Sequence, residues 1–279
     1  MKIENITFVI TTFNSEKIIL SCIKSLPKYS KKIIIENSGN RKLKKILTDQ
    51  FENIRVEIME ENIGYGSANN IGIKLSTTDY VFILNPDVII NTEEVNLILN
   101  TLKGLNFAIA APIEKKEINK FNFNNKIYKD VNEVKGFAMI LNKNKMKGEL
   151  FDENFFLYLE EIDLCKRIKI LKEKIFLLNI GINHLGGKSH DENHKLEMEK
   201  SRNWHWMWSK FYFYKKHYGY FYGVIKTLPN LISSFVNFLF FFCVNKKVKS
   251  QNYKMRCLGL TSSYLLKKSS YRPFLDKLS

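Results

Sequence analysis

The alternation of strand and helix patterns along the first 200 residues is the feature that most restricts the fold. Ile6–Thr12 reads as a strand, and Tyr80–Leu84 is apolar throughout, as in a strand buried on both faces of its sheet. A β-α-β-α order implies right-handed crossovers. We therefore predict an α/β protein with a mostly parallel central sheet. The other predicted elements are strands over Lys32–Glu36, Asn53–Met59 and Ile175–Ile180, and helices over Glu16–Leu26, Gly64–Ser76, from Asn91 or Thr92 to Gly104, and Glu160–Lys174.

Two carboxylate clusters stand where strand-like patterns end. Asn85-Pro86-Asp87 follows Tyr80–Leu84, so Asp87 is expected at the carboxyl end of a strand, where open α/β sheets bind ligands. Glu160-Glu161-Ile162-Asp163 follows the aromatic run Phe155–Leu159, which is expected to form an apolar wall beside it. A carboxylate on such a wall loses solvation and can serve as a general base. One acid for a metal-bound diphosphate and another for proton abstraction suggest a group-transfer enzyme.

Composition is that of a folded protein from a reducing compartment. The chain is 45% hydrophobic and 26% charged, which excludes a disordered protein. Its four cysteines are far apart and form no C-x-x-C pair, which argues against a zinc module or a disulfide framework. Met1–Asn5 runs directly into a strand pattern with Glu4 where a signal peptide would be basic, so we expect no secretory signal and a cytoplasmic location.

The C-terminal segment differs from the rest of the chain. Residues 201–279 hold 14 lysine and arginine residues against one acid, together with all three tryptophans. We therefore divide the chain into a catalytic domain, 1–200, and a helical, aromatic and basic region, 201–279. The apolar stretch Tyr218–Val244 is interrupted, and its uninterrupted part, Phe238–Val244, is far shorter than the about 20 residues that cross a bilayer. We expect helices lying on an anionic membrane surface. A nucleic-acid partner is not expected, because no recognised nucleic-acid module accompanies the basic residues.

Six motifs occur in the order found in one known family. The chain resembles glycosyltransferase family 2, the inverting enzymes of the GT-A fold, and within it the rhamnosyltransferase-like branch of surface-polysaccharide assembly. The GT-A fold is Rossmann-like, and the resemblance covers roughly residues 5 to 190. The six motifs are Val9–Asn14, Ile35–Gly39, Asn62–Asn70, Leu84–Asp87, Phe155–Arg167 and His184–Gly187.

The resemblance implies a role for each matching residue. Thr11 and Glu36 would lie near the nucleotide base and ribose, and Glu161 would take the proton from the acceptor hydroxyl. A divalent cation, Mg²⁺ or Mn²⁺, would lie on the donor diphosphate. Glu160 and Asp163 are the alternative catalytic acids. The metal ligands would be Asp87, Asn85 and His184, and the remaining donor-binding residues Asn14, Asn37, Gly64, Tyr65 and Asn70.

Three positions depart from the family pattern. Asn85 replaces the first acid of the D-x-D metal motif, Glu36 replaces an aspartate, and the catalytic pair is Glu-Glu rather than Glu-Asp. Structural roles also compete with catalytic ones: Asp87 as a turn residue, the acids of the second cluster as helix-start residues, and His184 as a buried structural histidine. The departures bear on metal affinity more than on reaction class.

The functional hypothesis is transfer of a sugar from a nucleotide-sugar donor, dTDP-rhamnose first, to a hydroxyl of a glycan or polyprenyl-diphosphate-linked acceptor. The enzyme would be peripheral on the inner face of the cell membrane. The alternatives are the same fold with a galactofuranosyl or UDP-hexose donor, and a non-catalytic membrane or nucleotide-binding partner in polysaccharide assembly. The sequence does not specify the oligomeric state.

Overall fold

A nine-stranded sheet organises the first part of the chain in the computed structural model, which describes residues 1–186 and 195–273. The described residues fall into two units. The first comprises 1–152 with 161–186, and the second comprises 153–160 with 195–273. The functional division at residue 200 stays a prediction.

The sheet of the first unit is mixed, and its amino-terminal half is parallel. Its strand order is β3-β2-β1-β4-β8-β6-β9-β5, with β7 also paired to β9. Strand β1 is parallel to β2 and β4, and β2 to β3, whereas β8 runs antiparallel to β4 and β6. The predicted α/β class is confirmed. The strands are β1 (Ile6–Thr12), β2 (Lys31–Glu36), β3 (Ile54–Ile58), β4 (Tyr80–Leu84), β5 (Val88–Ile89), β6 (Ile109–Glu114), β7 (Tyr128–Asp130), β8 (Ala138–Asn142) and β9 (Ile175–His184).

Helices cover both faces of the parallel half. Successive residues of β4 enter different apolar clusters, with Phe82 in one and Val81 in the other, so this strand is buried on both faces as predicted. Asn91 caps α4 in a capping box with Glu94. Helix α2, capped by Asn40, has no counterpart among the predicted elements. The helices of this part are α1 (Glu16–Ser25), α2 (Arg41–Gln50), α3 (Tyr65–Leu75), α4 (Thr92–Leu102) and α5 (Glu160–Ile170).

Three local expectations need correction. The aromatic run Phe155–Leu159 is not a strand: Tyr158 and Leu159 have φ angles of 73° and 67°, which break an extended chain. Strand β9 continues beyond the predicted Ile180 to His184 because it gains β5 as a partner. It also pairs with β7, which is not among the predicted strands. Gly187, the last residue of the predicted His184–Gly187 motif, lies outside the described residues.

The second unit contains three long helices, α6 (Lys195–Tyr218), α7 (Tyr220–Cys243) and α8 (Lys247–Tyr264). Helices α6 and α8 approach closely at Gly259, where an added Cβ would lie 2.1 Å from the carbonyl oxygen of Trp204. The Ser263 hydroxyl donates to the Trp208 carbonyl at 3.1 Å. Only a glycine allows this close approach of the two helix backbones.

Most of the interrupted apolar stretch Tyr218–Val244 forms one long helix. Pro229, Asn230 and Asn237 do not end the helix, so α7 is continuous over 24 residues. It is the one helix among the described residues that is long and apolar enough to cross a membrane, judged by length and composition alone. Counting only the uninterrupted apolar run missed this, because a helix can continue through a proline when neighbouring groups satisfy the freed carbonyl.

Candidate active site

The turn after β4 holds Asp87 at the carboxyl edge of the sheet. The Asn85 N–H donates to the Phe137 carbonyl at 2.8 Å, and the Leu185 N–H donates to the Asp87 carbonyl at 3.1 Å. Val88 begins β5 and pairs with His184 of β9. These backbone bonds bring two candidate metal ligands, Asp87 and His184, side by side.

The His184 imidazole lies between two carboxylates. Its Nε2 is 3.2 Å from Asp87 Oδ1, and its Nδ1 is 3.4 Å from Glu114 Oε1. The ring stacks on Phe137 with centroids 4.7 Å apart and an interplanar angle of 13°. Glu114 also pairs with Lys116 at 2.5 Å, and its side chain is only 7% exposed. His184 is therefore fixed in orientation by contacts on both nitrogens and on its ring face.

Tyr65, at the start of α3, connects Asn85 to the chain before β8. Its hydroxyl oxygen lies 2.9 Å from Asn85 Oδ1 and 2.9 Å from the Gly136 carbonyl oxygen. Gly64, with φ of 93°, provides the left-handed turn that begins this helix. The Asn85 side-chain oxygen keeps a second lone pair for another partner.

The predicted metal ligands fit a hard divalent cation. Asp87 offers carboxylate oxygens, Asn85 an amide oxygen and His184 an imidazole nitrogen, a set that suits Mn²⁺ or Mg²⁺. No group of three or more His, Cys, Asp and Glu side chains that could hold a metal occurs in residues 1–186 and 195–273. Such a small protein set is typical where substrate phosphates and water complete the coordination.

Glu161 lies in the first turn of α5 with its side chain against Gly136. A Cβ built on Gly136 would be 3.3 Å from Glu161 Cβ and 3.5 Å from its Cδ. Burial raises the pKa of Glu161 and the charge of Glu133 raises it further, while backbone N–H groups, including that of Gly136, lower it. The carboxylate is therefore poorly solvated but hydrogen-bonded, which suits a general base.

The two alternative acids have different surroundings. Asp163 is completely buried and pairs with Arg167 Nε at 2.8 Å, and Arg167 also donates to the Leu150 carbonyl and pairs with Glu149. The charge of Asp163 therefore stabilises the local packing of α5.

Glu160 is 4% exposed and belongs to the second unit. Of the three acids, Glu161 is the one packed against the Gly136 backbone.

Glu36 and Asn37 hold the loops at the end of β2. Glu36 accepts hydrogen bonds from the backbone N–H groups of Ser38 and Asn40, and burial raises its pKa. Asn37 donates to Asn62 Oδ1 at 2.9 Å and accepts from the Ile63 N–H at 3.1 Å. Both predicted donor-binding side chains thus shape the backbone of the site through local bonds.

The other predicted donor-binding residues are also engaged. The Thr11 hydroxyl donates to Asn69 Oδ1 at 3.0 Å, and the backbone N–H of Asn14, which has φ of 48°, lies 3.4 Å from the Ser38 hydroxyl. Asn70 makes two bonds, of 2.9 and 3.0 Å, with the backbone of Phe151. Asn70 therefore anchors the Phe151 segment.

Sequence reasoning missed two residues that the structure brings to this edge. Glu114 is the last residue of β6, and an acid at the carboxyl end of a strand is the sequence signal that could have indicated it. Phe137 precedes β8 and contacts His184 through its ring and Asn85 through its carbonyl. No motif marks Phe137, because its role depends on an antiparallel pairing between distant parts of the chain.

Comparison with known proteins gives consistent results. The family model described as "Glycosyl transferase family 2" matches residues 7–176. The low-salt glycan biosynthesis hexosyltransferase Agl10 of Haloferax volcanii is 22% identical over 60% of this chain and 62% of its own, so the chain spans less than two thirds of that relative.

Two solved structures share the fold at low identity. S. aureus TarS, residues 1–349, superposes with a TM-score of 0.52 at 14% identity over 96% of this chain and 93% of that one. The mannosyltransferase PcManGT of Pyrobaculum calidifontis, in complex with GDP-Man and Mn²⁺, gives 0.55 at 10% identity over 94% and 87%. At these identities the likeness establishes the fold alone.

Proposed function

The chain belongs to glycosyl transferase family 2, and from this premise we propose that Glu161 is the general base of an inverting sugar transfer from a nucleotide donor to an acceptor hydroxyl. The observation that carries the proposal is the position of Glu161: partly buried, raised in pKa and packed against the Gly136-Phe137 segment, which also contacts Asn85 and His184. That segment links the candidate base to the candidate diphosphate site.

The reaction follows from these positions. The acceptor oxygen attacks the anomeric carbon as Glu161 takes its proton, and the bond from that carbon to the diphosphate oxygen breaks. The nucleoside diphosphate leaves with the bonding electrons. Because attack and departure occur on opposite faces of the carbon, one displacement inverts its configuration.

Asp87, Asn85 and His184 would hold a divalent cation, which when bound neutralises charge on the diphosphate. Tyr65 would keep Asn85 in place through its bond to Oδ1.

The donor is proposed to be dTDP-rhamnose, from the motif resemblance, with a nucleotide-activated hexose as the second candidate. The relative named as a hexosyltransferase favours the second candidate. Release of nucleoside diphosphate, measured with a panel of dTDP-, UDP- and GDP-sugars with and without Mn²⁺, separates them. A panel in which no donor is turned over would contradict the proposed transfer.

Glu161→Gln tests the role of Glu161, and Glu60→Gln is the control. Glu60 is an acid of the same unit, and its side chain is 77% exposed. We expect Glu161→Gln to lower kcat about 10²- to 10⁴-fold and to leave donor binding intact, because the amide cannot accept the proton. Glu60→Gln should match the wild type. A Glu161→Gln enzyme with more than a tenth of the wild-type kcat would exclude this residue as the base.

The proposed acceptor is a lipid-linked or surface glycan reached at the inner face of the cell membrane, with α7 in contact with the bilayer. Large apolar side chains of α7, including Phe221, Ile225 and Phe242, are 81%, 70% and 68% exposed, while its buried residues are Gly223, Thr227 and Ser234. Small residues toward helix neighbours and large apolar ones outward are typical of helices packed in lipid. Because α7 packs along the charged helices α6 and α8, we expect an interfacial position.

Vesicle flotation tests the membrane contact. Replacing Ile225 and Ile232 with lysine should reduce binding to anionic vesicles, because both side chains, 70% and 57% exposed, would carry charge into the acyl boundary. Ile127→Lys, at an isoleucine 61% exposed in the first unit, is the matched control and should float as the wild type does. Unchanged flotation of the α7 variant would refute the contact.

A further inference from the structure

A cavity in the second unit carries two arginines and no acid. Its volume is about 300 Å³, and it is lined by Tyr158, Arg202, Asn203, Trp206 and Arg256. We propose that this cavity binds the phosphate group of a phosphate-linked acceptor, with the guanidinium groups on the phosphate and the aromatic rings against the apolar part of the ligand.

The charges of the two arginines are not neutralised locally. The side chain of Arg202 makes no hydrogen bond or ion pair with any residue in the described part of the chain. Arg256 donates from Nε to Asn203 Oδ1 at 2.6 Å, and its guanidinium lies 5.0 Å from the Tyr253 ring centroid. That bond fixes the plane of the Arg256 fork and leaves its terminal nitrogens without a partner among the described residues. The nearest acid of α6, Glu199, accepts instead from Asn252 at 3.3 Å.

Two cations facing one cavity favour a doubly charged oxyanion. Guanidinium groups bind phosphate through paired, parallel N–H donors, and two of them can serve one phosphate or the two phosphates of a diphosphate. Asn203 contributes orientation: its Nδ2 donates to the Glu199 carbonyl at 2.8 Å, which directs Oδ1 toward Arg256. The donors of Arg256 are therefore oriented before any ligand binds.

The aromatic residues indicate what the phosphate is attached to. Trp206 is 41% exposed, whereas Trp204 and Trp208 are 5% and 4% exposed. The Trp206 ring meets Tyr158 edge to face, with centroids 5.5 Å apart at 86°. A partly exposed pair of rings beside an anion site suits a prenyl chain or the apolar face of a sugar. Tyr158 adopts a φ of 73°, a strained backbone for a bulky residue, and lies three residues before Glu161 in the sequence.

The assignment to the acceptor rests on the proposed glycosyl transfer; the phosphate binding itself does not. Calorimetry with EDTA present, so that no cation serves the Asp87 site, tests the binding with two probes: inorganic pyrophosphate and farnesyl diphosphate below its micellar concentration. We expect Arg202→Gln and Arg256→Gln each to weaken binding about 10- to 100-fold. Arg202→Lys should fall between, because lysine keeps the charge without the fork. Tighter binding of the prenyl probe identifies a lipid-linked phosphate as the source, and equal binding identifies a free phosphate group.

The control is Arg41→Gln, which removes the same charge from an exposed site of the first unit and should bind both probes as the wild type does. In turnover with a phosphate-linked acceptor, Arg202→Gln should raise the acceptor KM and retain kcat. A chain that turns over no donor would refute the proposed transfer while the calorimetry still reports on the cavity. Wild-type protein that binds neither probe at millimolar concentration, or folded arginine variants within twofold of it, would overturn the phosphate site.

Discussion

Replacing Gly136 with alanine tests whether the chain before β8 positions Glu161, the proposed catalytic carboxylate. The added Cβ would lie 3.3 Å from Glu161 Cβ, 3.4 Å from Cγ and 3.5 Å from Cδ. Gly136 is not among the residues with positive φ, so its backbone accepts alanine without strain. The crowding must therefore be relieved by moving Glu161 a few tenths of an ångström.

The expected effect is on catalysis more than on stability. Misplacing a catalytic group by about 1 Å costs about 10²-fold in rate, so a shift of a few tenths should lower kcat about two- to tenfold. The methyl group also displaces solvent and disturbs the Gly136 N–H bond to the carboxylate. Both changes raise the pKa of Glu161, so the acid limb of the rate profile should move to higher pH. Nucleoside diphosphate release measured across pH reports both quantities.

Gly181→Ala is the matched control, because a Cβ there would also meet its neighbours at 3.3 Å, namely Ile118 and Lys115. It should change the melting temperature by a similar amount and leave the acid limb in place. The reasoning fails if Gly136→Ala keeps the wild-type kcat and apparent pKa. It also fails if both variants lose kcat equally.

Three further outcomes follow from buried titratable groups. Activity should fall at acid pH with an apparent pKa above that of an ordinary glutamate, because Glu161 must be ionised to act, and Glu133→Gln should lower that pKa. Burial lowers the pKa of His205 from 6.5 to about 3, so the contribution of this residue to the free energy of unfolding is complete above pH 6.5 and is lost as the pH falls. Thermal melts at pH 5 should show a free energy of unfolding lower by about 2 kcal/mol, and His205→Gln should remove this pH dependence. Burial raises the pKa of the Cys22 and Cys165 thiols to about 12, so a thiol reagent at pH 8 should label exposed Cys243 in the folded protein and leave these two unmodified until unfolding.

The parallel half of the fold could be predicted because its signals are local. Ile6–Thr12 and Tyr80–Leu84 are predicted strands whose bounds the structure reproduces, and Asn91 caps α4 with an acid three residues later. Helix α2 was missed because its polar sequence, Arg41–Gln50, buries only Leu43 and Leu47. Its periodicity is too sparse to stand out from a loop.

Apart from the first part of β9, the strands in the second half of the sheet could not be predicted, because they depend on distant partners. The three-residue strand β7 exists through pairing with β9, about 46 residues later in the register Asp130 to Phe176. The turn at Tyr158 and Leu159 was hidden for a related reason. A run of aromatic residues normally favours a strand, and here Phe155 and Phe156 pack instead on Tyr212 and His205 of α6.

The residue types of the candidate site could be predicted from the sequence, whereas the contacts that these residues make could not. Asp87 and Glu161 follow from acids placed at the ends of patterned segments, but their surroundings arise from tertiary structure. Glu36 and Asn70, expected to bind the donor, make bonds to nearby backbone that shape the loops. Phe137 could not be inferred, because its two contacts, with His184 and Asn85, require β4, β8 and β9 to be assembled first.

The Gly136-Phe137 segment also explains how two opposed electrostatic requirements can be met in one site. A general base needs few nearby cations, because each would lower its pKa, whereas a leaving diphosphate needs positive charge. Gly136 faces Glu161, and Phe137 stacks on His184. Two adjacent residues therefore contact the proposed base and a proposed metal ligand. The Phe137 ring covers one face of the imidazole, whose nitrogens are directed to Asp87 and Glu114 and not to Glu161. The segment thus connects the proposed base to the proposed diphosphate site, while burial and the charge of Glu133 raise the pKa of Glu161.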